Sequence, residues 1–161
     1  MKIRINSTSF LIPGNENWKH LKKNNDLFFS DYGNFNNTNL HEKVDVEINL
    51  LFLPDLFDFI QQENLIYKKE IKKISNIIKL IKQKFRNNNK KIIVGISGYL
   101  YNNIINFSKF INVSFQLKNY FLDQLYKLAK TYNNLFVVDL DTIFSEYGHK
   151  YCLDQRNYYI F

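Results

Sequence analysis

Polar and apolar positions recur along this chain with two periods, one of two residues and one of about 3.6, and the two alternate from end to end. Lys2-Ile3-Arg4-Ile5-Asn6-Ser7 has the shorter period and predicts a first strand, with Asn6-Ser7-Thr8-Ser9 as its polar exit. Pro13-Gly14-Asn15 breaks the chain. Trp18 to Lys23 then reads as a short helix that turns Trp18 and Leu21 inward. Asp26-Leu27-Phe28-Phe29-Ser30 predicts a second strand, stopped by Asp31-Tyr32-Gly33-Asn34 and followed by an Asn-rich loop. Val44 to Leu53 alternates at first and then becomes wholly apolar, as a strand in the middle of a sheet does. Pro54-Asp55 ends it.

The longer period takes over from Leu65 to Arg86. Ile71, Ile74, Ile77, Ile78, Ile81 and Phe85 share one face there, with lysines on the other. Asn87-Asn88-Asn89 closes that helix. Ile92-Ile93-Val94-Gly95-Ile96 is a short buried strand with its exit at Ser97-Gly98. Tyr99 to Asn112 reads as an irregular loop on the active face. A second amphipathic helix carries Leu117, Phe121, Leu122, Leu125, Leu128 and Ala129, and Leu135-Phe136-Val137-Val138-Asp139 is the last strand. Strands alternating with helices imply a parallel sheet covered on both faces. The predicted fold class is therefore α/β, a three-layer α/β/α sandwich with a five-stranded flavodoxin-like sheet. All 161 residues form one domain in this reading.

Composition narrows the setting. Hydrophobic residues make up 45% and aromatics 17%, enough to build a core and exclude a disordered chain. No apolar run reaches the length of a membrane span, and the start lacks the apolar core of a secretion signal. The single cysteine, Cys152, excludes an internal disulfide and a cysteine-based zinc site. A cytoplasmic location is the simplest expectation. The net charge of +7 favours acidic partners. Much of it lies on the long helix, where a solvated face is roughly five times more frequent than a nucleic-acid footprint.

In an open α/β sheet, ligands sit beyond the carboxyl ends of the strands. The polar groups there are Asn6, Ser7, Thr8 and Ser9 after the first strand, and Asp31, Gly33 and Asn34 after the second. Asp55 follows the third, Ser97 and Gly98 the fourth, and Asp154 and Arg156 lie beyond the fifth. Caps and turns use the same residue types, so any one position alone is weak evidence. A serine hydrolase needs a nucleophile, a base within hydrogen-bond reach and donors for the oxyanion. Ser7 or Ser9 can supply the first, and the Gly33 amide with Asn34 the last. For the base, His20 and His41 occupy early helix or loop positions, and His149 is near the right edge, although a histidine after Gly148 fits an ordinary turn equally well. Asp139-Leu140-Asp141-Thr142 has the form of a haloacid-dehalogenase aspartate pair, but it stands at the wrong end of the chain. Its aspartates are expected to end a strand and cap the following helical turn. A receiver-type acidic pair after the first strand is absent.

Taken together, Ile5-Asn6-Ser7-Thr8-Ser9-Phe10, Asp31-Tyr32-Gly33-Asn34, Val138-Asp139, Tyr147-Gly148 and Asp154-Gln155-Arg156-Asn157-Tyr158-Tyr159 resemble a known family. It is the N-terminal SGNH-hydrolase-like domain of FkbH-like proteins. That resemblance implies a role beside a haloacid-dehalogenase-like phosphatase domain, in loading glyceryl units onto acyl carrier proteins or in surface-polysaccharide biosynthesis. SGNH hydrolases place a serine after the first strand, a glycine after the second and Asp-x-x-His near the end. By position Ser7 matches the serine, Gly33 the glycine and Asp154 the aspartate, whereas Asn157 stands where the histidine belongs. The resemblance thus implies Ser7 and Asp154 as catalytic residues, with His149 as the substitute base. Asn6, Ser9, Gly33, Asn34, Asp55, Arg156 and Asn157 would line the ligand. It implies no metal and no cofactor, and as partner an acyl carrier protein or a haloacid-dehalogenase-like phosphatase. Two functions follow: a domain that binds without full catalytic machinery, or an active serine esterase.

Overall fold

Each strand runs parallel to its neighbour: β1 (Lys2–Ser7), β2 (Asp26–Phe29), β3 (Val46–Phe52), β4 (Lys91–Ser97) and β5 (Leu135–Asp139) form one sheet in the order β2-β1-β3-β4-β5. The structure is a computed structural model that describes residues 1–8, 16–30, 43–56, 63–86, 90–98 and 107–147. The helices are α1 (Lys19–Lys22, after a 3-10 turn at Glu16–Trp18), α2 (Leu53–Leu56), α3 (Glu63–Arg86), α4 (Phe107–Ala129) and α5 (Leu140–Tyr147). This is the predicted α/β class and the flavodoxin-like strand order, whose switch point lies between β1 and β3.

The two faces of the sheet are covered unequally. On one, Leu51, Leu53, Ile92, Val94, Ile96 and Leu135 pack against Ile74, Ile77, Ile81 and Phe85 of α3 and against Leu117, Phe121, Leu122, Leu125 and Leu128 of α4. These are the apolar stripes that the 3.6 period marked out. On the other, Ile3, Ile5 and Val46 form a smaller cluster with Trp18, Leu27, Phe29, Ile48, Leu50 and Ile93. Trp18 meets Phe29 edge to face, with ring centroids 5.2 Å apart, a contact worth about 0.5–1.5 kcal/mol beyond its area. On this face α5 approaches the sheet over Gly95, where a Cβ would lie 3.0–3.2 Å from the Leu140 side chain. Gly95→Val is therefore expected to push Leu140 off the strand and destabilise the protein by about 1–3 kcal/mol. Urea unfolding measures this as a lower midpoint at unchanged slope.

Three local expectations are corrected. Leu21 points outward, 40% exposed, because α1 is a single turn and Trp18, just before it, makes the inward contact. Pro54-Asp55 does not simply stop β3. Pro54 sits at the start of α2, where its fixed φ suits a first helical turn. The segment read as an irregular loop up to Asn112 is helical from Phe107, because α4 begins there. Residues 99–106 lie outside the described ones.

Candidate functional site

Two polar clusters stand at the carboxyl edge of the sheet. The first forms at the switch point. Ser7 and Asn6 are consecutive in a strand, so their side chains leave on opposite faces. Asn6 turns toward the α3 side, where its Nδ2 donates to Asn49 Oδ1 at 2.8 Å and to Glu47 Oε1 at 3.2 Å. Its Oδ1 accepts a hydrogen bond from Ser30 Oγ, at the exit of β2. Both amide protons of Asn6 are thus committed within the fold, and one side chain ties β2, β1 and β3 together. Asn49 is fully buried in this network, and its Nδ2 has no hydrogen-bond partner among the described residues.

Thr8 closes the switch point from above. Its Oγ1 accepts from the Phe52 amide at 2.8 Å and donates to the Phe52 carbonyl at 3.3 Å, while its own N–H donates to Leu50 O at 3.0 Å. The exits of β1 and β3 are therefore held side by side. Ser7, the nucleophile candidate, is 4% exposed at this place. Asp55 is exposed in α2.

Beneath this edge lies a buried ion cluster. Glu47 is 2% exposed and is paired with Lys84 from α3 and Lys90 just before β4. Burial raises its carboxyl pKa, but the charges and hydrogen bonds of the two ammonium groups outweigh that, and the group titrates below the ordinary glutamate value. One residue in a strand of apolar neighbours thereby joins β3 to both flanking segments.

The second cluster sits at the exits of β4 and β5. Asp139 caps α5, its Oδ1 accepting the Asp141 amide at 3.1 Å. Asp141, in the first turn, accepts from Ser97 Oγ at 2.5 Å and from the Gly98 amide at 2.9 Å. Lys118 crosses from α4 and lies 2.7 Å from Asp139 Oδ1 and 2.8 Å from Asp141 Oδ2. Its stem runs over Gly98, where a Cβ would come within 3.0 Å of Lys118 Cδ. Burial lowers the lysine pKa, yet the hydrogen bonds and charges of the two aspartates more than offset this and hold it above the ordinary value. Lys118 is thus held as an ammonium group that donates hydrogen bonds to both aspartates. Asp139 ends the strand and caps the helix as expected, whereas Asp141 clasps Ser97, Gly98 and Lys118 instead of capping, an arrangement that the sequence reading misses. The available signal was a lone lysine within the apolar stripe of Leu117, Phe121, Leu122 and Leu125.

Of the predicted site residues, the structure brings Asn6, Ser7 and Asp55 to the carboxyl edge. Ser9, Gly33, Asn34, His149, Asp154, Arg156 and Asn157 lie outside the described residues. Among the described residues, no group of three or more His, Cys, Asp or Glu side chains is placed to hold a metal ion. No helix among them is long and apolar enough to cross a membrane.

The chain is similar in fold to the crystal structure of the N-terminal part of the protein BF1531 from Bacteroides fragilis, which contains a phosphatase domain and is complexed with Mg. The TM-score is 0.66 at 14% identity, and the match covers 98% of this chain and 45% of that one. This chain therefore corresponds to less than half the length of its structural neighbour. No protein-family model and no curated protein matches it. At this level of identity the likeness establishes the fold.

Proposed function

We propose that this chain is a hydrolase-like domain that binds rather than catalyses, serving as an accessory module in an FkbH-like acyl- or glyceryl-carrier pathway or in surface-polysaccharide biosynthesis. The observation that carries this reading is the state of the strand-exit groups. Asn6, Ser30, Asn49, Thr8, Ser97, Lys118, Asp139 and Asp141 hold one another in place, and the one lysine among them is kept protonated. Such an edge is a preorganised rim for a ligand. Where the hydrolase motif has its histidine this sequence has Asn157, and general-base assistance is worth typically about 10²–10⁴-fold. The fold likeness to a protein with a phosphatase domain agrees with a partner of that kind, and the family resemblance of the terminal motifs points the same way. In this reading Arg156 and the lysines meet the phosphate of a phosphopantetheinylated carrier protein, and Ser9, Gly33, Asn34, Asp55 and Asn157 complete the cleft wall.

The second reading is an SGNH-type esterase, favoured by the place of Ser7 at the carboxyl end of β1 beside the switch point, with Asp154 and His149 as its partners. A fluorophosphonate probe and a chromogenic acetate ester separate the two. The expected result is no Ser7-dependent labelling and no turnover, together with binding of a phosphopantetheinylated carrier protein at low salt. Labelling that disappears in Ser7→Ala would establish the esterase and remove the binding-only reading.

A further inference from the structure

Among the described residues, the exposed charges of α3 are all positive. Lys68, Lys72, Lys79 and Lys82 lie at helical spacing along one stripe with Lys69 at its border, and all five are exposed. The stripe runs about 21 Å, from the 1.5 Å rise per residue. Glu70 does not relieve it. That carboxylate is buried on the opposite side, with its Oε2 3.0 Å from Lys73. Lys73 in turn donates to the Leu56 carbonyl at 3.3 Å, and Lys84 is drawn inward to Glu47. The fold thus engages Lys73 and Lys84 and leaves the five exposed lysines without an ion pair among the described residues. On the neighbouring helix the arrangement differs, for Asp123 and Lys127 of α4 neutralise each other at 2.6 Å. Like charges at i,i+3 and i,i+4 disfavour a helix, so α3 carries a repulsion that an acidic partner would relieve.

We infer that this stripe is a docking surface for the acidic helical face of a partner protein. Its chemistry selects among anionic partners. Lysine is a point charge without the bidentate fork that arginine offers to phosphate, and the five exposed cations described on the stripe are all lysines. Asn76 and Gln83, the other exposed positions among the described side chains of α3, are polar, so among those side chains none stacks on bases and none enters a bilayer. What remains is rim-type attraction, fast and salt-sensitive, to carboxylates spaced along a helix. Lys68 and Lys72 are one turn apart, as are Lys79 and Lys82, and the two pairs are separated by about two turns. Glutamates at i and i+4, repeated two turns on, would match them. The surface stands on α3 alone and rests on the carrier-protein reading above only for the identity of the partner.

The test uses the full chain and an alanine-based helical peptide bearing two such glutamate pairs, followed by fluorescence anisotropy at low ionic strength. Lys72→Glu with Lys79→Glu is expected to weaken binding by about tenfold or more, and binding should fade as salt shortens the Debye length to about 8 Å. Lys91→Glu with Lys130→Glu removes the same net charge elsewhere and should change it by less than about threefold. Equal weakening by both pairs would overturn the proposal, since only net charge would then be at work. Tighter binding of duplex DNA or of phosphatidylserine vesicles than of the peptide would overturn it as well. Stripe-dependent peptide binding without carrier-protein binding would support the surface and remove the carrier as its partner.

Discussion

Replacing Glu47 with glutamine is expected to lower the unfolding free energy by about 3 kcal/mol at neutral pH, a typical cost of breaking a buried ion pair from one side. The carboxylate holds Lys84 and Lys90, both nearly enclosed, and accepts from Asn6 as well. Its removal takes away the counter-charge that the two ammonium groups share. The pH dependence distinguishes this from a packing defect. Glu47 titrates below the ordinary glutamate value in the folded protein, so its contribution is complete above the unfolded value of about 4.3 and is lost as pH falls through the folded one. The gap between native protein and variant should be widest at neutral pH and should close in acid. Urea unfolding of both proteins across that range measures it, and a gap independent of pH would assign the loss to packing.

The second large effect is expected at Asp141. This carboxylate collects a hydroxyl, a backbone amide and an ammonium group, and a hydrogen bond to a charged group is worth about 1.5–3 kcal/mol. Asp141→Ala should cost about 3 kcal/mol, because Asp139 retains Lys118 and limits the damage. It should also release the β4 exit, so that the Gly98 amide exchanges with solvent markedly faster than in the native protein. Slow exchange at Gly98 in the variant would mean that the clasp is not what orders this turn. The alkaline limb carries a matching sign. Lys118 is raised above the ordinary lysine value, so its contribution is complete below about 10.4 and is lost as pH climbs through the folded value. In Asp141→Ala that alkaline loss should be smaller.

The strand order and the long helices were legible because burial imposes periodicity on residues that face a core. Ile74, Ile77, Ile81 and Phe85 could be read as one face without reference to anything else in the chain. The polar interior was not legible, for a related reason. Lys2-Ile3-Arg4-Ile5-Asn6 alternates like a strand with one wet face, yet β1 lies between β2 and β3, and Arg4 and Asn6 are buried. A central parallel strand is covered on both sides, so its polar positions mark partners rather than solvent. Those partners, Glu47, Asn49 and Ser30, are distant in sequence and become visible only once the strands are in register. The same holds for Lys118, whose two aspartates arrive from β5 and α5. The candidate site was legible as a place, the carboxyl edge, and as the residue types found there. Which of those groups would be occupied in holding the edge together depends on tertiary contacts that no local pattern encodes.

The all-parallel sheet also bears on how this chain reaches its native state. No two strands are joined by a hairpin, and each pairing of β3 with β1, of β4 with β3 and of β5 with β4 unites positions more than 40 residues apart. Loop-closure entropy must be met before any of these ladders yields a contact, which places folding toward the slow end for a domain of this size. While it waits, β3 exposes the apolar run Leu50-Leu51-Phe52 with its β4 edge open. A nascent chain is therefore most exposed to misassociation before β4 has been synthesised, and becomes protected once α3 delivers β4 alongside β3.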